Sequence, residues 1–249
     1  TLASLGTTQI SALTTTQVAG LSAVTLGAMS TTQLGALTTS QVQSLTATQI
    51  KSLTAIKVGA LTTEQVAALK TDQIKLLSAA QLQGLDVEDV AAMGTAQVSA
   101  LADKQVEALT TAAVAALTTT QVGALSASQV KKLTIAQVAA FSTSAAAQLS
   151  TAQVAALSSA QVRALTTASV AALSSTQLNA LSATQVAALS TAQVDALTTS
   201  AVSGMSTTNI KSLTTAQVAV LNADDVTAMS TSQVAALTDK QVGALTTTA

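Results

Sequence analysis

The sequence predicts an all-α solenoid of short capped helices, and three observations predict it. The same eight residues return through essentially the whole chain. A helix-start signal stands at the same place in almost every copy. An eight-residue period is also incompatible with one long amphipathic helix.

The octad is seen cleanly at Leu149-Ser150-Thr151-Ala152-Gln153-Val154-Ala155-Ala156, and it recurs at Leu157, Leu165, Leu173, Leu181 and Leu189. Counted from the leucine, complete copies run from Leu5 to Leu237, about thirty units in all. Position 1 is Leu in most copies, Met at Met29, Met93, Met205 and Met229, and Phe at Phe141. Position 6 is Val, Ile or Leu in every copy except that of Ala146. Self-similarity at a fixed period dictates architecture before any other feature does.

Position 2 is Ser, Thr, Asp or Asn except at Gly6, Lys70, Gly94 and Ala102, and position 5 is usually Gln, as at Gln17, Gln41, Gln65 and Gln121. Ser or Thr followed three residues later by Gln is a capping box. The hydroxyl accepts from a backbone N–H one turn in, and the Gln side chain reaches back to the cap's own N–H. The apolar residues at positions 1 and 6 then stand where a hydrophobic staple needs them.

An unbroken helix would rotate its apolar stripe by roughly 80° per octad, so no single buried face would form. A helix restarting at every cap avoids this. Each octad then holds one short helix over positions 3 to 8, about 9 Å long. Helices this short are not populated alone, so they need their neighbours, which is the logic of a solenoid. A β-solenoid is the alternative, since Thr and Val favour strands. Its weakness is that apolar positions 1, 6 and 8 mix odd and even, and strand faces alternate at period two.

Residues 1–249 are predicted to form a single continuous array. There is no Pro and no Gly- or Ser-rich linker, and Gly20, Gly27, Gly59, Gly84 and Gly204 stand where helix C-termini are expected. Leu2 out of phase and Gly6 in a cap position suggest fraying at the N-terminal end. Neither end carries an atypical polar octad, which suggests a piece of a longer array or a subunit that stacks end to end.

Composition narrows function mainly by exclusion. Ten basic against eleven acidic residues, net charge −1, leave no basic surface for nucleic acid, and a single aromatic residue leaves no base-stacking platform. No apolar run is long enough for a membrane span. With no Cys and no His there is neither a disulfide nor the usual catalytic base or nucleophile. The abundant Ser and Thr lack an activating partner, and no glycine-rich phosphate loop occurs. No catalytic, cofactor-binding or metal-ligating residue is expected, no cofactor, and no small-molecule substrate.

The densest acidic octads are Leu85-Asp86-Val87-Glu88-Asp89-Val90 and Leu221-Asn222-Ala223-Asp224-Asp225-Val226. Their carboxylates could share a hard cation. Acids at a cap and in the first turn are better explained as opposing the helix dipole, and no glycine turn of a calcium loop is present. The carboxylates are expected to be exposed, without raised pKa values. Lys131-Lys132, Arg163, Asp103-Lys104 and Asp239-Lys240 read as a solvated face. At Phe141 to Ala146 the repeat is weakest, and the larger ring is expected to compensate volume lost at Ala146.

The octad Leu-Ser/Thr-Thr-x-Gln-Val-x-Ala, as in Leu189-Ser190-Thr191-Ala192-Gln193-Val194, resembles the octapeptide arrays of large bacterial extracellular and surface proteins, some labelled adhesin-like or haem-utilisation-like. The resemblance covers almost the entire chain and implies an extracellular or cell-surface place. Haem finds no ligand here, because His, Cys and Tyr are absent and the four Met occupy core positions. The expected function is a non-enzymatic structural one: a fibre or stalk segment whose copies associate end to end. A repetitive module binding ice or carbohydrate through threonine rows, or a passive spacer of a giant adhesin, are the alternatives.

Overall fold

The computed structural model describes residues 2–245, so the incomplete octad after Leu245 lies largely outside the described residues. Among them regular structure is helical throughout: a 3-10 turn at Leu2–Ser4, then thirty α-helices from α1 (Thr7–Ser11) to α30 (Asp239–Val242). Each octad supplies one helix of four to six residues. The β-solenoid alternative is overturned: the recurring caps favour a helix start in each octad, and apolar positions 1, 6 and 8 do not fit the period-two faces of a strand.

Helix starts follow the predicted chemistry. At α19 (Thr151–Ala156), Ser150 is extended with φ −67° and ψ 160°, and its hydroxyl accepts from the Gln153 N–H at 3.2 Å. The Gln153 Oε1 accepts from the Ser150 N–H at 2.6 Å. Where Gly6, Lys70, Gly94 and Ala102 supply no capping side chain, the helix still starts. The glutamine three residues on keeps its half of the box, at 2.9, 2.9, 2.7 and 2.7 Å. Helix ends are equally regular. Leu157 turns extended, with φ −60° and ψ 141°, and its N–H closes on the Val154 carbonyl at 3.2 Å.

The helices gather into two compact units, Thr1–Leu125 and Ser126–Ala249. Within the first, each helix up to α12 (Thr95–Ala100) packs on the third helix after it, so α1 meets α4 (Thr31–Gly35) and α2 (Thr15–Ala19) meets α5 (Thr39–Gln43). The second, from α16 (Ala127–Lys132) onward, repeats the rule independently, with α16 on α19. Each unit is therefore an α-solenoid with three short helices, or twenty-four residues, per turn of the coil.

The interior is made by two apolar positions and one polar one. Position 1 leucines such as Leu101, Leu125 and Leu165 are buried, as are position 6 residues such as Val66, Val122 and Val186. The four position 1 methionines are buried with them. Phe141 and Ala146 are both buried, so the weakest octad keeps both core positions inside. The third inward residue is the position 5 glutamine, which is buried in almost every coil that has a predecessor.

Glycines stand at helix ends as expected, but none adopts positive φ. Their use is close approach. A Cβ on Gly59, just past α7 (Ala55–Val58), would overlap the Gly84 carbonyl oxygen and lie 3.0 Å from its carbon. One on Gly84, after α10 (Ala79–Leu82), would overlap the Ala55 carbonyl oxygen. The N-terminal end, where fraying is expected, carries helical structure from Leu2. Leu2–Ser4 forms its 3-10 turn, and the Gln33 Nε2 donates to the Leu2 and Leu5 carbonyls at 3.3 and 2.8 Å.

Candidate functional site

The most elaborate polar arrangement is the row of position 5 glutamines, and each one serves two helices. Gln41 is typical. Its Oε1 accepts from the Thr38 N–H at 2.7 Å, and its own N–H donates to the Thr38 hydroxyl at 3.2 Å. Its Nε2 then donates to the Ile10 carbonyl at 2.9 Å and the Leu13 carbonyl at 2.6 Å. Those two carbonyls lie at the C-terminus of α1 and in the turn leading to α2, on which α5 packs. The first four N–H and last four C=O groups of a helix lack intrahelical partners. One amide supplies partners at both kinds of end.

The spacing is constant because the coil is. The carbonyls taken lie 31 and 28 residues earlier for Gln49, Gln65, Gln73, Gln81, Gln97, Gln105 and Gln121 in the first unit. The second unit repeats it at Gln161, Gln177, Gln185, Gln193, Gln217, Gln233 and Gln241. Sequence reasoning identified the capping half of this side chain and missed the coil-to-coil half. The signal was there: capping needs only an acceptor, so a preference for Gln over Glu implies that the amide N–H groups are also used.

Departures from Gln show why it is favoured. Asn209 is one methylene shorter. Its Nδ2 donates to the Leu178 carbonyl at 2.7 Å, but the Ser206 N–H turns instead to the Asn179 Oδ1 at 2.7 Å. Asp89 and Asp225 keep the capping half, accepting from the Asp86 and Asn222 N–H groups at 3.3 and 3.2 Å. Ionised, they have nothing to donate.

Both aspartates contradict the expectation of exposed carboxylates. Asp89 is 2% exposed and Asp225 1%, because position 5 of both octads lies on the inner side of the coil, as the buried glutamines do. Burial pushes the Asp89 carboxyl up to about 6, helped by the negative charges of Asp86 and Glu88 and opposed by the Asp86 N–H. Asp225 instead receives the Thr199 hydroxyl at 2.9 Å.

Lys75 pairs with Asp72 at 3.2 Å on one exposed helix surface. Lys131 edges an open groove of about 670 Å³ whose other lining includes Ser128, Ser158, Ser159, Thr184 and Gln185. Alanines and Leu157 complete its lining, and the Ser159 hydroxyl is directed at the Thr184 carbonyl at 3.4 Å. Among the described residues, no three His, Cys, Asp or Glu side chains gather as a metal site. No helix there is long and apolar enough to cross a membrane.

The position 2 hydroxyls are taken up by caps, as predicted, whereas position 3 plays no part in the caps and forms rows. In the second unit Thr143, Thr167, Thr191 and Thr215 are all exposed. They open the successively stacked helices α18 (Thr143–Ala147), α21 (Thr167–Ala171), α24 (Thr191–Asp195) and α27 (Thr215–Val218), one hydroxyl per coil.

No curated protein matches the chain. A family model does, at residues 25–55, 104–135, 132–167, 155–191, 165–199 and 202–231. Those matches cover more than half of the chain, and with the in-phase caps and the glutamine spacing they make this protein a member of the ALTTAQ repeat family.

Proposed function

We propose that this protein is a non-enzymatic structural element, a segment of an extracellular fibre or stalk whose copies associate end to end. The observation that carries the reading is the glutamine arrangement. The recurring inward-facing polar side chain is engaged in joining one coil to the next. That is chemistry for propagating a stack, and a stack joins through open ends.

In the first unit Gln9 and Gln17, in the outermost described coil, are exposed. In the second, Val234 of α29 (Thr231–Ala236) and Val242 of α30 are 44% and 49% exposed, where Ile10 and Val18, covered by a following coil, are 0%. The first described coil thus presents glutamine side chains and the last presents apolar ones, and groups of both kinds meet at an internal joint. The extracellular placement rests on the likeness of the octad to bacterial surface arrays.

Electron microscopy over a range of concentrations is expected to show filaments that lengthen with concentration. Val234→Lys with Val242→Lys removes two burials worth about 3 kcal/mol together, so filaments should then need about 100-fold more protein. Short rods that never elongate would leave the passive spacer as the structural role.

The threonine row supports a second reading, a repetitive module for ice or carbohydrate. Changing Thr143, Thr167, Thr191 and Thr215 to Ala leaves every cap intact. Thermal hysteresis and glycan-array binding should be lost at unchanged melting temperature if that reading holds, and their absence from the unaltered chain would end it.

A further inference from the structure

The buried aspartate in the first unit has no counterpart in the structural reading above. Asp89 belongs to α11 (Val87–Ala92), which packs on α8 (Thr63–Ala68) before it and α14 (Thr111–Ala115) after it. By the spacing that the glutamines keep, position 5 of this octad corresponds to the carbonyls 31 and 28 residues earlier, those of Val58 and Leu61. Elsewhere a glutamine amide donates to such a pair; here the side chain is a carboxyl group. An ionised carboxylate directed at carbonyl oxygens repels them, and the carbonyls lose a donor.

The helices packed on α11 offer no cation to offset this, and the basic residue next to these carbonyls in sequence is Lys57, in α7 beside Val58. α8 contributes one titratable group, Glu64, and α14 none; α11 and its cap add Asp86 and Glu88. The hydroxyl of Thr63 occupies the place from which Thr199 serves Asp225, 26 residues earlier, but it engages Glu64. Asn209 shows what a neutral side chain of the same length does at this position. Its Nδ2 reaches the carbonyl 31 residues back at 2.7 Å. A protonated aspartic acid has the same reach, with an O–H in place of the N–H.

We propose that the joint between α8 and α11 is a proton-operated seam: with a proton on Asp89 the acid donates to the Val58 carbonyl and closes the stack, and loss of that proton to water leaves two carbonyls facing a carboxylate and loosens it. A buried carboxyl held near 6 makes the change fall in mildly acidic solution. The folded group binds its proton more tightly than the unfolded one, whose value is 3.8. The closed seam therefore loses stability as pH rises from about 4 to about 6, and is weakest above that.

Amide hydrogen exchange on the full chain at pH 5.0 and 7.5, corrected for intrinsic exchange, tests this. Protection of the amides in α8 and α11 is expected to fall roughly tenfold between the two values. The Asp89→Asn chain should show no such fall and should match at pH 7.5 the protection of the unaltered chain at pH 5.0. A fall that persists in Asp89→Asn, or one spread evenly over all coils, would overturn the proposal. So would protection at pH 7.5 restored by millimolar Ca²⁺ and removed by chelator, which would make the occupant a cation. Equal protection at both pH values in the unaltered chain would overturn it as well.

Discussion

Gln41→Leu is expected to destabilise the first unit by about 3–5 kcal/mol, although leucine has nearly the same volume and is more apolar. Gln41 is 2% exposed and has four backbone partners: the Thr38 N–H and the carbonyls of Ile10, Ser11 and Leu13. Leucine leaves them without this side chain in a place from which water is excluded. An unsatisfied buried polar group costs about 1–3 kcal/mol, more than the added apolar surface returns. Gln41→Glu separates the two roles. It keeps the acceptor for Thr38 and loses both donors, so it should be tolerated better at pH 4.5, where the acid is neutral, than at pH 7.5. Urea unfolding followed by circular dichroism measures the total, and hydrogen exchange in α1 and α5 locates it. A loss under 1 kcal/mol for Gln41→Leu would mean that the coils are held by the Leu and Val core alone.

Gly84→Ala should cost about 3 kcal/mol, near the upper end for overpacking a core. The added Cβ would overlap the Ala55 carbonyl oxygen and lie 2.9 Å from its carbon and 3.2 Å from its Cα, all backbone atoms that have no rotamer to escape through. Gly59 meets Gly84 in the same way, so this corner of the coil closes backbone against backbone. Gly123→Ala is the matched control. Nothing stands within 4 Å of its added Cβ and its φ is not positive, so the substitution should stabilise by about 0.4–1 kcal/mol through the unfolded chain. Melting temperatures of the two variants should move in opposite directions. A common sign would show that helix propensity, and not the close approach, governs both positions.

Helix existence and phase were legible from residues because they are local properties. Ser150 and Gln153 are three residues apart, and their mutual hydrogen bonds depend on nothing beyond the octad. Three helices per coil was not legible, since every octad carries nearly the same pattern and none announces which later one it will meet. The second job of glutamine was hidden for the same reason: Gln41 and Ile10 are 31 residues apart. The exposure expected for Asp89 failed because acids were weighed as first-turn residues in general, when position 5 lies on the inner side of the coil. The close pair of Gly59 and Gly84 also depends on the coil period, being 25 residues apart.

A three-sided coil made of eight-residue steps constrains how such genes grow. Gain or loss of one octad by unequal recombination keeps every cap and every core position in phase, so the protein still folds. It also moves each downstream helix on to the next side of the triangle. Thr143, Thr167, Thr191 and Thr215 share a side only because 24 residues separate them. A single octad inserted after Thr167 would leave the last two of these threonines a third of a turn away from the first two. Selection for bulk length can therefore accept duplications one octad at a time, whereas selection for any pattern along one side can accept them only in threes. Length distributions among related arrays should carry that mark: steps of eight where the surface is inert, and steps of twenty-four where it is used.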